Sequence, residues 1–279
     1  MQNVGYYNGN IAPIEELMIP ALDRAVYFGD GCYEAVMTVG RRIYAADDHI
    51  DRFFSSMKLL GITPAWSKAE LRAILEDVVS RLDSDIGRLY WQTSRGTAPR
   101  GHAFPKDSKA NLLVFLTPGE LPDFHKEIKL VSVEDIRFEI CNVKTLNLIP
   151  SVLATDDAMR AGCDEAVLHR GDIVTECAHS NISILKNGRL ITHPTDNFIL
   201  PGTVRKHMLD ICYRESVPII ERAFTMDELR GCDEALVSAS FSAIRRVREL
   251  DGSPVGGRDP ELARLIQDRY ASEILSMMK

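Results

Sequence analysis

The amino-acid sequence predicts a protein of two domains that mix α-helices with β-strands, of the α+β or α/β class. Segments with period-2 alternation of apolar residues, such as RLYWQTS, are interspersed with segments of helical spacing. The segment TPGELPDF places two prolines and a glycine within eight residues, which is typical of a linker. We therefore expect an N-terminal α+β domain at 1–118, a linker at 119–123 and a C-terminal α/β domain at 124–279.

Turn motifs separate the predicted strands. The motifs of the β-hairpin type are Asn8-Gly9, Gly40, Gly171-Asp172 and Asn187-Gly188. Apolar and β-branched runs that lie outside these hairpins are also predicted to be strands: NLLVFLTP, IKLVSVED, EICNVKTLN and DEALVSASFSAIRRV.

Helices are predicted from apolar periodicity and from capping residues. The first is expected to begin with Asp47 or Asp48 as its cap and to run to Leu60. A capping box, SKAE at 67–70, opens the second. A third is expected at about 151–162, and a fourth follows the loop LPGT.

Composition and charge exclude several classes of function. The 279-residue chain has a formal net charge of −7 and no basic run, which argues against nucleic acid as a partner. No apolar run reaches the ~18 residues of a membrane span, and the first ten residues do not resemble a signal peptide. The six scattered cysteines are typical of reduced thiols, so we expect a cytoplasmic protein. Metal, Walker-loop and dinucleotide motifs do not occur.

Lys144 and Glu176 are the first two candidates for chemistry. Lys144 lies in the apolar segment ICNVKTLNLI, where it either points to water or is partly desolvated and reacts with an aldehyde. Glu176 ends the strand DIVTE and is followed by small and polar residues. It is either a solvated carboxylate or a fixed one of the kind that keeps a pyridine nitrogen protonated.

An anion site is suggested by separate parts of the chain. Gly202, Thr203 and Val204 begin a helix, where free backbone N–H groups and the helix dipole favour a negative charge. Arg52 could add a permanent positive charge and Ser240 a hydroxyl group. Each feature alone is common in proteins that bind no anion.

The segment RGTAPRGHAF follows a predicted strand and carries two arginines and a histidine. These side chains form either a solvated turn or a second anion site. Arg95, at the end of the strand, is expected to be structural, whereas Arg100 and His102 are the candidates for binding.

Several long segments together resemble one family. They are YFGDGCYEAV, HIDRFFSSMKLLGI, VKTLNLIPSVLATDDAMRAGCDEAVLHRGDIVTECAHSNISILKNGRLITHP and ILPGTVR. In order and spacing they resemble the class IV, fold-type IV enzymes that use pyridoxal phosphate (PLP), from about Gly5 to Val247. This group includes D-amino-acid aminotransferases, branched-chain aminotransferases and aminodeoxychorismate lyases. The resemblance implies a fold-type IV chain of two domains, with the cofactor site between them and the PLP lysine in the second.

The resemblance also implies a role for each candidate residue. Lys144 would be the Schiff-base lysine, and Glu176 would pair with the pyridine nitrogen of PLP. The other implied cofactor contacts are Leu200 on the ring and Arg52, Thr203, Val204 and Ser240 at the phosphate. Val204 stands where D-amino-acid enzymes commonly carry threonine, and SASFSA replaces a threonine-rich stretch, so we expect weaker cofactor retention with intact chemistry.

The same resemblance gives the arginine- and histidine-bearing loop a role. Arg100 and His102 would act with Tyr33 as a trap for the substrate carboxylate. The resemblance further implies that Arg100 and His102 reach into the active site of the neighbouring subunit of a homodimer.

The function that the resemblance implies is transamination of D-amino acids, with pyruvate or 2-oxoglutarate as acceptor, by a ping-pong mechanism. An aminodeoxychorismate lyase shares Lys144 and Glu176, and a branched-chain aminotransferase shares the cofactor residues but usually lacks the PRGH sequence. A PLP-binding protein without turnover is a further alternative, from a different functional class.

Overall fold

The computed structural model describes residues 1–278, which divide into two compact units. The first contains Met1–Leu121, Val143–Asn147 and the described residues from Ile274 to Met278. The second contains Pro122–Asn142 and Leu148–Glu273. The change from the first unit to the second after Leu121 falls inside the segment TPGELPDF.

The segment that carries Lys144 groups with the first unit, whereas the sequence placed this lysine within a domain at 124–279. The physical reason is backbone pairing with the start of a strand of the first unit. Leu146 N donates to Gly31 O at 3.1 Å, and Thr145 forms an isolated bridge with Cys32.

The first unit is built on one antiparallel sheet. Its elements, in chain order, are β1 (Val4–Tyr7), β2 (Asn10–Ala12), α1 (Arg24–Phe28), β3 (Gly31–Val39), β4 (Arg42–Ile43), α2 (Ala46–Leu59), α3 (Lys68–Ser80), β5 (Ile86–Ser94) and β6 (Asn111–Pro118). The strand order is β2-β1-β6-β5-β3-β4. The longest pairing, β3 with β5, runs from Gly31 opposite Ser94 to Val39 opposite Ile86.

The second unit is built on a larger, mixed sheet. Its elements are β7 (Glu127–Glu134), α4 (Ile149–Arg160), β8 (Glu165–Arg170), β9 (Ile173–Cys177), β10 (Asn181–Lys186), β11 (Arg189–Thr192), α5 (Thr203–Arg214), β12 (Ile219–Glu221), β13 (Phe224–Thr225), α6 (Met226–Arg230), β14 (Glu234–Ala239), β15 (Ala243–Leu250), β16 (Ser253–Pro254) and α7 (Pro260–Leu275). The strand order is β12-β11-β10-β14-β15-β7-β8-β9-β13, with β16 paired to β15. Strands β7 and β8 are parallel and are joined through α4, as in a βαβ unit.

The predicted hairpin turns are confirmed. β1 pairs with β2, β3 with β4, β8 with β9, and β10 with β11, each in antiparallel register. Asn187 and Gly188 adopt φ values of 51° and 70°, the left-handed region that Asn and Gly tolerate best. The capping box of α3 is also present, between Ser67 and Glu70.

Three local predictions are wrong. Neither Asp47 nor Asp48 caps α2, because Ala45 precedes the helix and the two aspartates lie in its first turn, where their charges favour the helix dipole. EICNVKTLN is not a strand, since its backbone bonds to separate partners and turns sharply where Thr145 N donates to Val143 O. DEALVSASFSAIRRV contains two strands, β14 and β15, joined by a turn.

Helix α4 lies close to the second sheet because its facing residues are small. The cluster between them contains buried alanines from the helix and the sheet with one leucine: Ala154, Ala158, Ala166, Leu168 and Ala178. A second cluster consists mainly of larger aliphatic residues of the sheet, with Phe224 and with Met226 and Leu229 of α6. None of the helices within residues 1–278 combines the length and the apolar character that a membrane span requires.

Candidate active site

Lys144 is held by its backbone and keeps its amine available. Its carbonyl accepts a hydrogen bond from Tyr33 N at 2.9 Å, and its N–H donates to Ser56 Oγ at 3.2 Å. Nζ lies 4.3 Å from the centroid of the Tyr33 ring, which stacks on Tyr90 at 5.4 Å. Within the described residues this half-buried amine donates to no oxygen, so it can bond to a carbonyl compound.

A buried ion pair stands beside this lysine in the first unit. Arg52, on α2, donates from Nε and Nη2 to the two oxygens of Glu34, at 2.7 and 2.8 Å. His49, one turn earlier on α2, shares a hydrogen bond of 2.7 Å between Nδ1 and Glu34 Oε2. Glu34 is fully buried on β3. Arg52 is thus fixed in place with part of its donor capacity used.

The charges of this group follow from burial and pairing. Burial alone would raise the pKa of Glu34, but Arg52 and then His49 lower it to about 2. Burial lowers the pKa of His49, so the imidazole is neutral and its Nδ1–H donates to Glu34. Glu34 therefore balances the charge of Arg52, and the group as a whole carries no net charge.

Glu176 is buried in the second unit and is held at both oxygens. Oε1 is in contact with Arg137 Nη1, while Oε2 accepts from Asn181 Nδ2 at 2.8 Å and from Leu200 N at 3.1 Å. Burial raises the pKa of Glu176 to about 7, although Arg137 and the Leu200 N–H act in the opposite direction. The carboxylate is therefore fixed in position and poised to exchange a proton near neutral pH.

The start of α5 forms an open helix N-terminus. Gly202 is the N-cap residue and has no side chain to bond the first N–H groups, and Thr203 and Val204 are buried there. A Cβ at position 202 would overlap Asn181 Oδ1, so only glycine allows this close approach. An anion at this place would receive backbone N–H groups and the positive end of the helix dipole.

Ser240 lies in the turn between β14 and β15. This turn is closed by Ser242 N, which donates to Ala239 O at 3.3 Å. The preceding strand pairs with β10 so that Ser238 lies opposite Asn181. Ser240 is therefore at the same end of the second sheet as Asn181 and the start of α5.

These residues fit pyridoxal phosphate. The cofactor needs an amine for its aldehyde, an acceptor for the proton of its ring nitrogen and an anion site for its phosphate. Within the second unit, Glu176 and the start of α5 are linked through Leu200 and Asn181, which contact both. In the first unit, Lys144 supplies the amine and Arg52 a buried positive charge.

The loop after β5 is fixed by Arg95. Its guanidinium donates to both oxygens of Asp30 at 2.9 Å and to the carbonyls of Gly61 and Leu60 at 2.9 and 2.8 Å. It also lies 3.5 Å from the centroid of the Phe104 ring. Arg95 is committed to the fold, which agrees with its exclusion from the candidate site.

Arg100 and His102 project from this loop into solvent. Both lie against Phe28: the Arg100 guanidinium is 5.0 Å from the ring centroid, and the two ring centroids of His102 and Phe28 are 5.1 Å apart. Tyr33 lies elsewhere in the first unit, against Lys144. One chain therefore brings Arg100 and His102 together and keeps Tyr33 beside the lysine.

The residues that position the candidates were not predicted from the sequence. Glu34, itself bonded to His49, holds Arg52, and Arg137, itself bonded to Asp135, holds Glu176. One signal was available for Glu34, because it is a lone charge in the otherwise apolar strand GCYEAVMTV.

Comparison with known proteins gives the family. The family described as amino-transferase class IV matches residues 31–250. A D-alanine aminotransferase of Listeria monocytogenes serotype 4b (strain F2365) is 36% identical over 267 residues, which cover 93% of this chain and 92% of the relative. A D-alanine aminotransferase of Staphylococcus haemolyticus is 33% identical, over 97% of this chain and 98% of the relative.

Solved structures share the fold. A branched-chain aminotransferase of Thermoproteus uzoniensis, solved with norvaline, superposes with a TM-score of 0.90 at 21% identity, over 99% of this chain and 96% of that one. A fold IV transaminase of Curtobacterium pusillum superposes with a TM-score of 0.80, also at 21% identity, over 92% and 91% of the two chains. The family match covers most of the sequence, and the chain belongs to the class IV aminotransferases.

Proposed function

We propose that this aminotransferase uses PLP to transfer the amino group of D-amino acids, such as D-alanine, to pyruvate or 2-oxoglutarate in a ping-pong cycle. The observation that carries this proposal is the exposed pair Arg100 and His102, held together on a rigid loop. A planar guanidinium with an adjacent imidazole matches a carboxylate. The relatives named D-alanine aminotransferase support the same substrate class.

Each residue of the site has a proposed task. When bound, PLP supplies an aldehyde for the amino group and a ring that accepts electrons. The Lys144 amine would hold the cofactor and would act as the base that takes the proton from the substrate Cα. Glu176 keeps a proton on the ring nitrogen.

The remaining cofactor residues bind and orient. Leu200 packs on the ring, and its N–H fixes Glu176 at the same time. The proposed phosphate contacts are Arg52, Ser240 and the backbone N–H groups of Thr203 and Val204. Because Val204 offers no hydroxyl and Glu34 already balances Arg52, we expect the phosphate to be held mainly by the start of α5.

The second part of the proposal is a homodimer in which Arg100 and His102 complete the partner's site beside Tyr33. Apolar side chains near the loop are exposed in the single chain: Met18, Ile19, Leu22 and Val26. The loop is tied to this surface, since Ala98 N donates to Leu22 O at 3.1 Å. Such a surface is typical of a subunit interface. We place the enzyme in the cytoplasm, in keeping with its six free cysteines.

A spectral titration tests the reaction. Holo-protein is mixed in parallel with D-alanine, L-leucine and aminodeoxychorismate, and the cofactor absorbance is followed. We expect D-alanine alone to convert the cofactor to its amino form and release pyruvate. Conversion by L-leucine would favour a branched-chain aminotransferase, and pyruvate release from aminodeoxychorismate would favour a lyase.

Borohydride labelling tests the lysine. Reduction of holo-protein should fix PLP on the peptide that contains Lys144, and Lys144→Ala should bind PLP non-covalently without transamination. Lys58→Ala is a matched control on the outer part of α2 and should be labelled like the wild type. A label on any other lysine would contradict the assignment.

Subunit mixing tests the dimer. Lys144→Ala protein lacks the amine but keeps Arg100, whereas Arg100→Ala protein lacks the clamp but keeps the amine. Random reassembly of an equal mixture makes about half of the dimers hybrid, each with one complete site, so about a quarter of wild-type activity should return. If nothing returns after proven subunit exchange, Arg100 acts within its own chain or does not act on substrate.

A further inference from the structure

Arg137, three residues beyond β7, joins two carboxylates. Its Nε and Nη2 each donate to one oxygen of Asp135 at 2.9 Å, and its Nη1 contacts Glu176 Oε1. Nη2 also donates to Phe198 O at 3.2 Å. The guanidinium is thus held on three sides in a largely buried position.

Asp135 is fixed in turn by the strand that carries Glu176. Its buried carboxylate accepts from Thr175 Oγ1 at 2.9 Å, and Thr175 precedes Glu176 on β9. Arg170 Nε donates to the same Asp135 oxygen at 3.3 Å. Asp135, Arg137 and Glu176 therefore form a closed unit in which no side chain can turn without breaking a hydrogen bond.

The charges around Glu176 are unequal. Asp135 and Glu176 are acidic, and Arg137 is the cation that contacts both. Of these two carboxylates Arg170 contacts Asp135 alone, and it also pairs with Glu139. The thiol of Cys141 also faces this group, but burial raises its pKa to about 11, so it adds no charge near neutral pH. Removing Arg137 would leave Glu176 buried with no cation in contact, and a buried carboxyl without a counter-charge takes up a proton.

We infer that Arg137 is the positioning residue that orients the Glu176 carboxylate and favours its ionised form, so that the proton shared with the cofactor resides on the ring nitrogen. The inference rests on the proposed role of Glu176. Arg137 acts on the ring only through Glu176, and Asp135 sets the position of Arg137.

The test is the ¹⁵N chemical shift of holo-protein loaded with PLP labelled at its ring nitrogen, with free PLP at acid and alkaline pH as references. Wild-type protein should give the protonated value. An opposite charge in contact changes a carboxyl pKa by about 1–3 units, so in Arg137→Gln the ratio of ring-protonated to ring-unprotonated cofactor should fall by about 10- to 1,000-fold.

Three further variants show whether the shift acts through Glu176. Arg170→Met removes an arginine that bonds the same Asp135 oxygen and the Arg137 carbonyl but does not contact Glu176, so its resonance should stay at the wild-type value. In the Glu176→Gln background the ring should already be unprotonated, and adding Arg137→Gln should cause no further shift. If Arg137 only held the backbone, Arg137→Gln would shift the resonance neither in the wild-type background nor in the Glu176→Gln background.

The inference is overturned if the resonance shifts in Glu176→Gln but not in Arg137→Gln. That outcome would leave the role of Glu176 intact. A resonance that stays unmoved in Glu176→Gln itself contradicts the proposed function of that residue instead. If Arg137→Gln does not fold, the same ¹⁵N chemical shift is measured in Arg137→Lys. One ammonium cannot bond Asp135 and Glu176 as the guanidinium does, so a partial shift is expected and an unmoved resonance overturns the inference.

Discussion

Glu34 in the first unit and Glu176 in the second are both buried and both in contact with an arginine, yet their pKa values move in opposite directions. The pKa of Glu34 is lowered to about 2, and that of Glu176 is raised to about 7. The difference lies in how the donors are distributed. Arg52 places two N–H groups on Glu34 and His49 adds a third contact, whereas Arg137 places two on Asp135 and one on Glu176.

An arginine neighbour alone therefore does not fix the ionisation of a buried carboxylate. Asp135 receives the bidentate contact, and its pKa is lowered to about 2 although burial opposes this. Its negative charge in turn acts against ionisation of Glu176. One guanidinium shared by two carboxylates leaves one of them permanently charged and the other titratable, which suits a structural role for Glu34 and a chemical role for Glu176.

The largest expected effect is the loss of stability in Glu34→Gln. The change leaves Arg52 buried without its counter-charge, and breaking a buried pair in this way costs about 3–5 kcal/mol. Urea unfolding of wild type and variant measures it. Asp156→Asn, the same carboxylate-to-amide change in the exposed pair with Arg160, is the control and should cost about 1 kcal/mol or less. Equal losses in the two variants would show that Glu34 has no special structural role.

The contributions of the two carboxylates to the free energy of unfolding should depend on pH in opposite directions. The pKa of Glu176 rises from an ordinary 4.5 to about 7 on folding, so the folded state binds its proton more tightly. This stabilisation is fully present below pH 4.5, is lost as the pH rises through 7 and amounts to about 3 kcal/mol. The ionised Glu34 stabilises the folded state above pH 4.5, and this stabilisation is lost as the pH falls towards 2.

Unfolding free energies of apo wild type and apo Glu176→Gln between pH 5 and 8 test this expectation. Relative to the variant, which cannot titrate at this position, the wild type should lose stability as the pH rises. Parallel pH profiles would mean that Glu176 does not titrate in this range.

The next effect is on catalysis. Glu176→Gln keeps the shape of the side chain but weakens protonation of the ring nitrogen, so the proton-transfer step should slow by about 10-fold to several hundred-fold, at about 1.4 kcal/mol for each factor of ten. Stopped-flow measurement of the half-reaction with D-alanine gives the rate. Wild-type kinetics in the variant would mean that Glu176 does not contact the ring.

The smallest expected effect is that of Arg100, whose guanidinium stacks on an aromatic ring and bonds no oxygen of the described residues. Arg100 lies on Phe28, so its donors are available to a substrate carboxylate. Such a contact is worth roughly 1.5–3 kcal/mol, and Arg100→Ala should raise the Michaelis constant for D-alanine by about 10- to 100-fold. Amines without a carboxylate and PLP retention serve as controls and should hardly change. An unchanged Michaelis constant would remove Arg100 from the substrate site.

The sequence predicted features that depend on neighbours in the chain. The hairpin turns at Asn8-Gly9 and Asn187-Gly188 and the capping box at Ser67 are determined by local backbone preferences, and all three are confirmed. Helix α2 lacked its expected cap because Ala45 adopts a left-handed conformation that its residue type does not favour.

Long-range pairs could not be predicted from spacing. Arg137 and Glu176 are 39 residues apart and meet because β7 and β9 both flank β8 in the same sheet. The roles of Lys144 and Glu176 were predicted through the family resemblance, while their supporting residues depend on a strand order that a single sequence does not reveal. The roles of all these site residues remain predictions.

The close approach of Gly202 to Asn181 has a consequence for attempts to redesign this pocket. Any side chain at position 202 would push the Asn181 amide, which also bonds Glu176 Oε2. A library that varies position 202 to fit a different anion would therefore also disturb the group at the ring nitrogen, and the two properties could not be selected separately. Position 202 is best kept as glycine, with diversity introduced at 203, 204 and 240.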